Sequence, residues 1–244
     1  MAPGEGVEFE TPLEEGILLQ RYKRFLADVR RPDGEEFTIH TPNTGSMRGC
    51  SEPGSRIWFR DAGNPRRRYR HTWEITETPE GARIGVNTSR SNALVREAIE
   101  TGQVPELAGY PVIRPEVPLG ESRIDFALEG GERPCFVEVK NVTLAEAGVA
   151  RFPDAVSKRG SRHLDELARA VADGARGVIL YCIQREDAES MRPADDIDPA
   201  YGEALRRAVA GGVEALALRA SITLEGITLD TPVPVDTGAT GEAA

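Results

Sequence analysis

The chain is short of cysteine, of lysine and of long apolar runs, and each shortage excludes something. Cys50, Cys135 and Cys182, three cysteines in 244 residues, stand far apart with no C-x-x-C spacing. That pattern argues against a zinc cage and against a disulfide framework, and a reducing, cytoplasmic compartment is expected. No apolar stretch approaches the roughly 20 residues of a membrane-spanning helix, and the opening MAPGEGVEFE is acidic, unlike a basic, apolar leader. A soluble, unexported protein is expected. Only three of the 30 basic residues are Lys (Lys23, Lys140, Lys158), so a lysine at any given position is unusual here.

Positive charge is short as well. The net charge is -10, which by itself counts against a polyanionic partner, because phosphate binding needs a concentrated positive field. The distribution softens this objection. Residues 16–85 carry 13 Lys and Arg against 9 Asp and Glu, whereas residues 86–244 carry 17 against 26. A basic front half and an acidic back half point to separate tasks, and two domains are expected.

What is present begins with short strands. GILLQRYKRFLADVRR, EEFTIHTP, RIWFRDAG, YRHTWEITE and ARIGVNT are separated by PDG, PNTG, EPG, GNP and PEG, clusters that supply turn geometry. Five strands in this span fit a small barrel, and an OB-like barrel over residues 1–85 matches the size. Strand number alone also permits another small barrel or a sandwich. After Asn87 the period changes. Leu94, Val95, Ala98 and Ile99 share one helical face, with Asn92 as cap and Gly102 as stop. The strand YPVIRPEVPL, a hairpin over SRIDFALEGGERPCFVEVK, a helix over GSRHLDELARAVADG, the strand GVILYCI, a helix over PAYGEALRRAVAGG and the strand VEALALRA follow. This order predicts a mixed sheet flanked by helices over residues 86–230. The Pro- and Gly-rich stretch 231–244 is expected to be disordered.

The hairpin carries the chemistry. Side chains alternate along a strand, so Glu138 and Lys140 share a face, and either register allowed by a turn near Gly130 places Asp125 on that face too. Two carboxylates about 5–8 Å apart between their β-carbons would then lie beside an ammonium. Such a pair attracts a hard divalent cation, with the Val139 carbonyl as a further oxygen, and suits phosphodiester hydrolysis. The competing reading is an amphipathic hairpin whose polar residues only solvate its wet face.

Asp125 followed by Glu-Val-Lys at 138–140 resembles the PD-(D/E)XK nuclease signature, with Ile124-Asp125 in place of Pro-Asp. HTPNTGSMRGC (40–50), HTWE (71–74), GVNTSRSNALVREAI (85–99), SRIDF (122–126), VEVKNVTL (137–144) and FPDAVSKRGSRHLDEL (152–167) together resemble the sugar fermentation stimulation protein A family over about residues 10–230. The resemblance implies an OB-type domain followed by a PD-(D/E)XK-like domain, sequence-nonspecific DNA binding, a Mg²⁺ or Mn²⁺ site and a link to sugar-metabolism regulation, with or without catalysis. Carried over, Asp125 and Glu138 become metal ligands and Lys140 the catalytic lysine. Glu97, in preference to Glu100, is the candidate for the extra helical acid that many such nucleases add. His163 is a candidate for touching substrate phosphate or ordering a water, and Asp154 is a weaker one.

In RIWFRDAGNPRRRYRHTWE six Arg interleave with Trp58, Phe59, Tyr69 and Trp73, and RYKRF at 21–25 repeats the mixture. Arg21, Lys23, Arg24, Arg66, Arg67, Arg68 and Arg70 are candidates for a phosphate backbone, in DNA or in RNA. Trp58 and Trp73, in alternating strands, read as core. Asn43, Thr44 and Gly45 form a turn that either cradles an anion or closes the barrel onto the second domain.

Overall fold

A computed structural model describes residues 6–238. Five strands, β2 (Glu14–Tyr22), β3 (Leu26–Arg30), β4 (Glu36–His40), β5 (Arg56–Asp61) and β6 (His71–Glu77), hydrogen-bond in the order β4-β3-β2-β5-β6. A bridge from His40 to Thr72 returns β4 to β6 and closes the ring, giving an OB-like barrel. Leu18, Val29, Ile39, Ile57, Phe59 and Trp73 fill it. The sequence count of five strands is met by a different five. The segment 16–31, read as one strand, is a hairpin that turns at Lys23–Phe25. The expected fifth strand, β7 (Arg83–Gly85), only extends the ring from β6. The missed turn contains no Gly, Pro or Asn, because Lys23 and Arg24 themselves hold φ of 48° and 61°.

The second layer begins before the barrel. β1 (Val7–Glu8) pairs with β16 (Gly226–Pro232) at the edge of a seven-stranded sheet, so residues placed with the barrel on sequence grounds belong elsewhere. Two residues carry no periodic signal, and only the partner strand gives them structure. The remaining elements are α1 (Ser91–Glu100), β8 (Val112–Leu119), β9 (Ser122–Glu129), β10 (Cys135–Val142), β11 (Ala145–Glu146), β12 (Val149–Phe152), α2 (Lys158–Ala172), β13 (Arg176–Ile183), β14 (Ser190–Pro193), α3 (Pro199–Ala210) and β15 (Glu214–Ile222). The large sheet runs β1-β16-β15-β13-β10-β9-β8, with β10, β13 and β15 parallel and both flanks antiparallel. β11, β12 and β14 form a small separate sheet.

Each sheet face is apolar for a reason. Leu94, Val95 and Ala98 of α1 pack on Val137, Val139 and Leu180, joined by Trp58 and Ile75, which point outward from the barrel. Trp58 therefore is core, but core of the junction. Leu164 and Leu167 of α2 and Leu205 of α3 cover Ile179, Tyr181 and Ile183 on the opposite face. Central β13 is buried along nearly its whole length, as a parallel strand covered on both sides must be. The tail expected to be disordered is ordered through Gly238. Val235 bridges Met191, and Asp236 N–H donates to the Met191 carbonyl, because the edge of β14 offers unpaired backbone groups. Residues 239–244 lie outside the described part.

Among the described residues no helix is long and apolar enough to cross a membrane. All three cysteines are free and buried, and burial pushes each thiol up to about 12, so none is poised as a nucleophile.

Candidate metal and nucleic-acid site

The β9–β10 ladder pairs Cys135 with Leu128, Phe136 with Ala127 and Val137 with Phe126, then stops. Continued by one step, this register sets Asp125 opposite Glu138. The strands part there, and the Asp125 carboxylate occupies the gap. Its Oδ2 accepts the Val139 N–H at 2.8 Å, a donor the ladder would otherwise have used, and its Oδ1 accepts from Asn92 Nδ2 at 2.8 Å. Parity alone would place Asp125 on the face of Glu138 and Lys140, but its contacts tie it to the split in the sheet and to α1. Asn92 is not the helix cap expected from sequence. Asn87 caps the preceding 3-10 turn, and Asn92 orients Asp125.

Glu138 is 3% exposed and Lys140 8%. Lys140 Nζ donates to Glu138 Oε1 at 2.8 Å, and His163 Nδ1, from the buried face of α2, meets the same oxygen. Arg159 Nε donates to His163 Nε2 at 3.3 Å. An arginine N–H can only donate, so Nε2 accepts and the imidazole proton lies on Nδ1, where it donates to Glu138. Glu138 Oε1 thus receives two donors, whereas Oε2 is buried with no partner at all. Burial pushes the Glu138 carboxyl up, but the His163 hydrogen bond and the adjacent Lys140 outweigh it and hold the group below its ordinary value. Asp125 moves the opposite way, raised first by burial and then by the charge of Glu138.

The raised carboxyl yields a stability prediction. A carboxylate shifted upward carries its charge at a cost in the folded protein, and that cost sets in as pH rises through its unfolded-state value, about 4. Asp125→Asn removes the charge, and Asn92 can reverse its amide to keep both contacts. The metal-free variant is expected to melt above the parent at pH 7, with the gain shrinking below about pH 4. Thermal unfolding at both pH values in the presence of chelator checks this.

The donor set suits a hard divalent ion. Two carboxylates and the neighbouring Val139 carbonyl offer only oxygen, and the orphaned Glu138 Oε2 is an acceptor lacking a donor. Among the described residues no group of three or more His, Cys, Asp and Glu side chains could hold an ion unaided. Asp125, Glu138 and the Val139 carbonyl are the oxygen donors on this chain that could share such an ion with water. Glu97 does not join the pair. Its Oε1 accepts from Gly6 N–H at 3.3 Å, toward β1, because five residues of helix turn it about 140° from Asn92. Glu100 pairs with Arg96 on the surface.

Between the barrel and the second domain lies a cleft of about 420 Å³, lined by Asn43, Thr44 and Gly45 on one side and by Asn141, Arg151 and Arg159 on the other. The HTPNTG turn acts as a connector. Ser46 N and Oγ donate to Asp154 Oδ2 at 2.8 and 3.0 Å, and a Cβ on Gly45 would lie 2.6 Å from that oxygen. Asp154 is accordingly a latch between domains. Arg21 donates to the carbonyls of Arg24, Asn43, Gly45 and Ser46, so its guanidinium is spent on holding this loop.

The other barrel cations are differently placed. Lys23 and Arg24 are exposed at the β2–β3 turn beside Phe25, itself 47% exposed. Arg66, Arg67, Arg68 and Arg70 occupy the β5–β6 loop, where Arg70 pairs with Asp61 at 2.5 Å and Arg67 donates to Thr72 at 3.2 Å. His40 pairs with Leu26, just after the first loop, and with Thr72, just after the second. Both basic loops therefore open at one end of the barrel. Sequence reasoning missed Asn92 and Arg159, whose only signals were a second asparagine at the helix start and the basic run KRGSRH.

An OB barrel fused to a sheet that buries an acid–lysine pair defines a two-domain architecture of OB and RE type. Family profiles match both parts, the SfsA N-terminal OB domain over residues 19–86 and the sugar fermentation stimulation protein RE domain over residues 89–226. The chain belongs to the sugar fermentation stimulation protein family. It is 55% identical over 238 residues to the homolog from Thioalkalivibrio sulfidiphilus, covering 96% of this chain and 100% of that one. It is 56% identical over 225 residues to the homolog from Pelobacter propionicus, covering 92% and 97%. Among solved structures, Pyrococcus furiosus SfsA in complex with Ca²⁺ superposes with a TM-score of 0.85 at 29% identity, covering 94% of this chain and 98% of that one.

Proposed function

We propose that this protein binds DNA without regard to sequence and that its second domain is a metal-dependent phosphodiesterase site. The observation that carries the reading is the buried, partnerless Glu138 Oε2 in a carboxylate that also takes Lys140 and His163. The Ca²⁺ held by the Pyrococcus relative supports a divalent ion here. Asp125, Glu138 and the Val139 carbonyl would hold Mg²⁺ or Mn²⁺, which when bound polarises a phosphoryl oxygen and acidifies a water. Asn92 and Val139 N–H fix the Asp125 carboxylate, and Lys140 offers a positive charge where negative charge develops. His163 holds Glu138 in place from below. At the barrel mouth, Lys23 and Arg24 keep left-handed backbone that costs each about 1–2 kcal/mol, an expense that supports a use for their exposed cations. Phosphates tracked by these loops and by Arg66–Arg68, with Phe25 as a stacking platform, would form the grip.

The test is cleavage of single-stranded, duplex and branched DNA and of RNA with Mg²⁺ or Mn²⁺. Cleavage by the parent is expected, with Glu138→Gln lowering it at least about 100-fold and leaving oligonucleotide affinity largely intact. The Asp125 carboxylate, both of whose oxygens already accept from Val139 N–H and Asn92, favours a second reading, a noncatalytic DNA-binding regulator on the same fold. Failure to cleave any of these substrates, with DNA binding retained, would establish that reading instead.

A further inference from the structure

We infer that the first turns of α2 form a second phosphate-binding wall, which holds a nucleic-acid backbone across the cleft from the Asn43–Gly45 loop. The inference rests on the nucleic-acid reading above and extends it to the acidic part of the chain, where net charge argues against it. Lys158, Arg159 and Arg162 lie within five residues, and all three are exposed. Among the described residues none of them has a carboxylate within ion-pair distance. Surface arginines elsewhere in this domain divide: Arg96 meets Glu100, Arg114 meets Glu129, Arg123 meets Glu116 and Arg176 meets Glu214, whereas Arg133, Arg192 and Arg207 stand exposed and singly without such a partner, so what sets α2 apart is three such cations within five residues.

Lys158 and Arg162 are four apart on one helical stripe, a like-charge spacing that costs about 0.2–0.5 kcal/mol in the free protein. In a domain with acids to spare, three adjacent uncompensated cations are best explained by an anion from outside. Arg159 turns the other way, lining the cleft and donating to His163. A phosphate on this wall thus lies within a short relay of Glu138. The opposite wall continues to the basic barrel mouth, because Arg21 binds the carbonyl of Arg24 together with those of Asn43 and Gly45. Two cationic surfaces joined by a polar cleft fit a polymer of regularly spaced phosphates. An acidic polypeptide is the competing occupant.

The experiment measures affinity against salt for the full chain with fluorescent single-stranded and duplex oligonucleotides. Lys158→Ala with Arg162→Ala is expected to make the slope of log K against log salt shallower by about 1.4 on single strands and about 1.8 on duplex, additive with the effect of Arg66→Ala, Arg67→Ala and Arg68→Ala. A photo-crosslinker on Val156→Cys, at a position 70% exposed beside Lys158, is expected to label the oligonucleotide, and the native cysteines are buried and will not compete for the reagent. The same probe on Leu224→Cys, near the opposite edge of the sheet, is expected to leave it unlabelled. An unchanged slope in the α2 variant, beside a shallower one in the barrel variant, overturns the wall and spares the barrel grip. Binding of polyglutamate in place of DNA overturns it in favour of an acidic protein. Absence of nucleic-acid binding by the parent overturns both readings.

Discussion

Lys140→Met is expected to lower the proposed metal-dependent cleavage by about 100- to 1000-fold, the scale set by removing one group that stabilises developing charge. Methionine keeps most of the lysine stem and so leaves the packing on the α2 face of β10 nearly intact. Two losses combine. The cation beside Glu138 disappears, and Glu138, 3% exposed, is left with His163 as its remaining donor on Oε1. Desolvation then meets less opposition, and the Glu138 carboxyl moves upward from its depressed position. Metal binding, which needs the carboxylate, is therefore expected to weaken at a higher pH in the variant than in the parent. Single-turnover cleavage and Mn²⁺ titration across pH, each beside oligonucleotide binding, measure the two losses separately. A variant that cleaves as fast as the parent would remove Lys140 from the mechanism. Lys140→Arg is not expected to rescue, because a planar guanidinium cannot replace a compact ammonium in a buried space made for one.

Glu74→Ala is expected to cost about 3–5 kcal/mol of stability, the usual penalty for stripping one partner from a buried ionic group. Glu74 is 0% exposed. It accepts from Arg60 Nε at 2.7 Å, Arg90 Nε at 2.7 Å and Asn87 Nδ2 at 2.9 Å, and Arg90 continues to Glu10 at 2.6 Å. Glu74 stands on the last ring strand of the barrel, Arg90 immediately before α1, so the network is part of the seam between domains. Alanine leaves the buried Arg90 and the nearly buried Arg60 facing a void with only the more exposed Glu10 to share. For a chain of this size the loss corresponds to a melting temperature lower by roughly 6–20 °C. Glu74→Ala combined with Arg90→Met should recover part of it, since removing both charges also removes their desolvation cost. A single variant that melts within a degree or two of the parent would show that the seam is held by Trp58 and Ile75 instead.

The hairpin shows how much of a site a sequence can carry. Alternation alone places Glu138 and Lys140 side by side, and the structure agrees because β10 is regular throughout. The same rule points to Asp125, yet its environment comes from the end of a ladder, where one backbone donor changes partner from strand to side chain. His163 was legible only as a histidine in a helix. Its contact with Glu138 depends on how α2 lies over the sheet. Glu97 shows a related limit: the rim of an apolar stripe has two sides, and periodicity does not say which one faces Asp125 and Glu138.

The barrel divides in the same way. Short strands, turn residues and a local excess of arginine are properties of neighbouring residues, and these determined the class of each half of the chain. Closure through His40 and Thr72, the hairpin at Lys23 and Arg24, the capture of β1 by β16 and the use of Arg21 on a loop belong to the tertiary structure. Local preference is a free-energy difference within a few residues. Which carbonyl an arginine meets, or which strand ends early, is decided by contacts between residues far apart in the chain, whose energies exist only once the chain is folded.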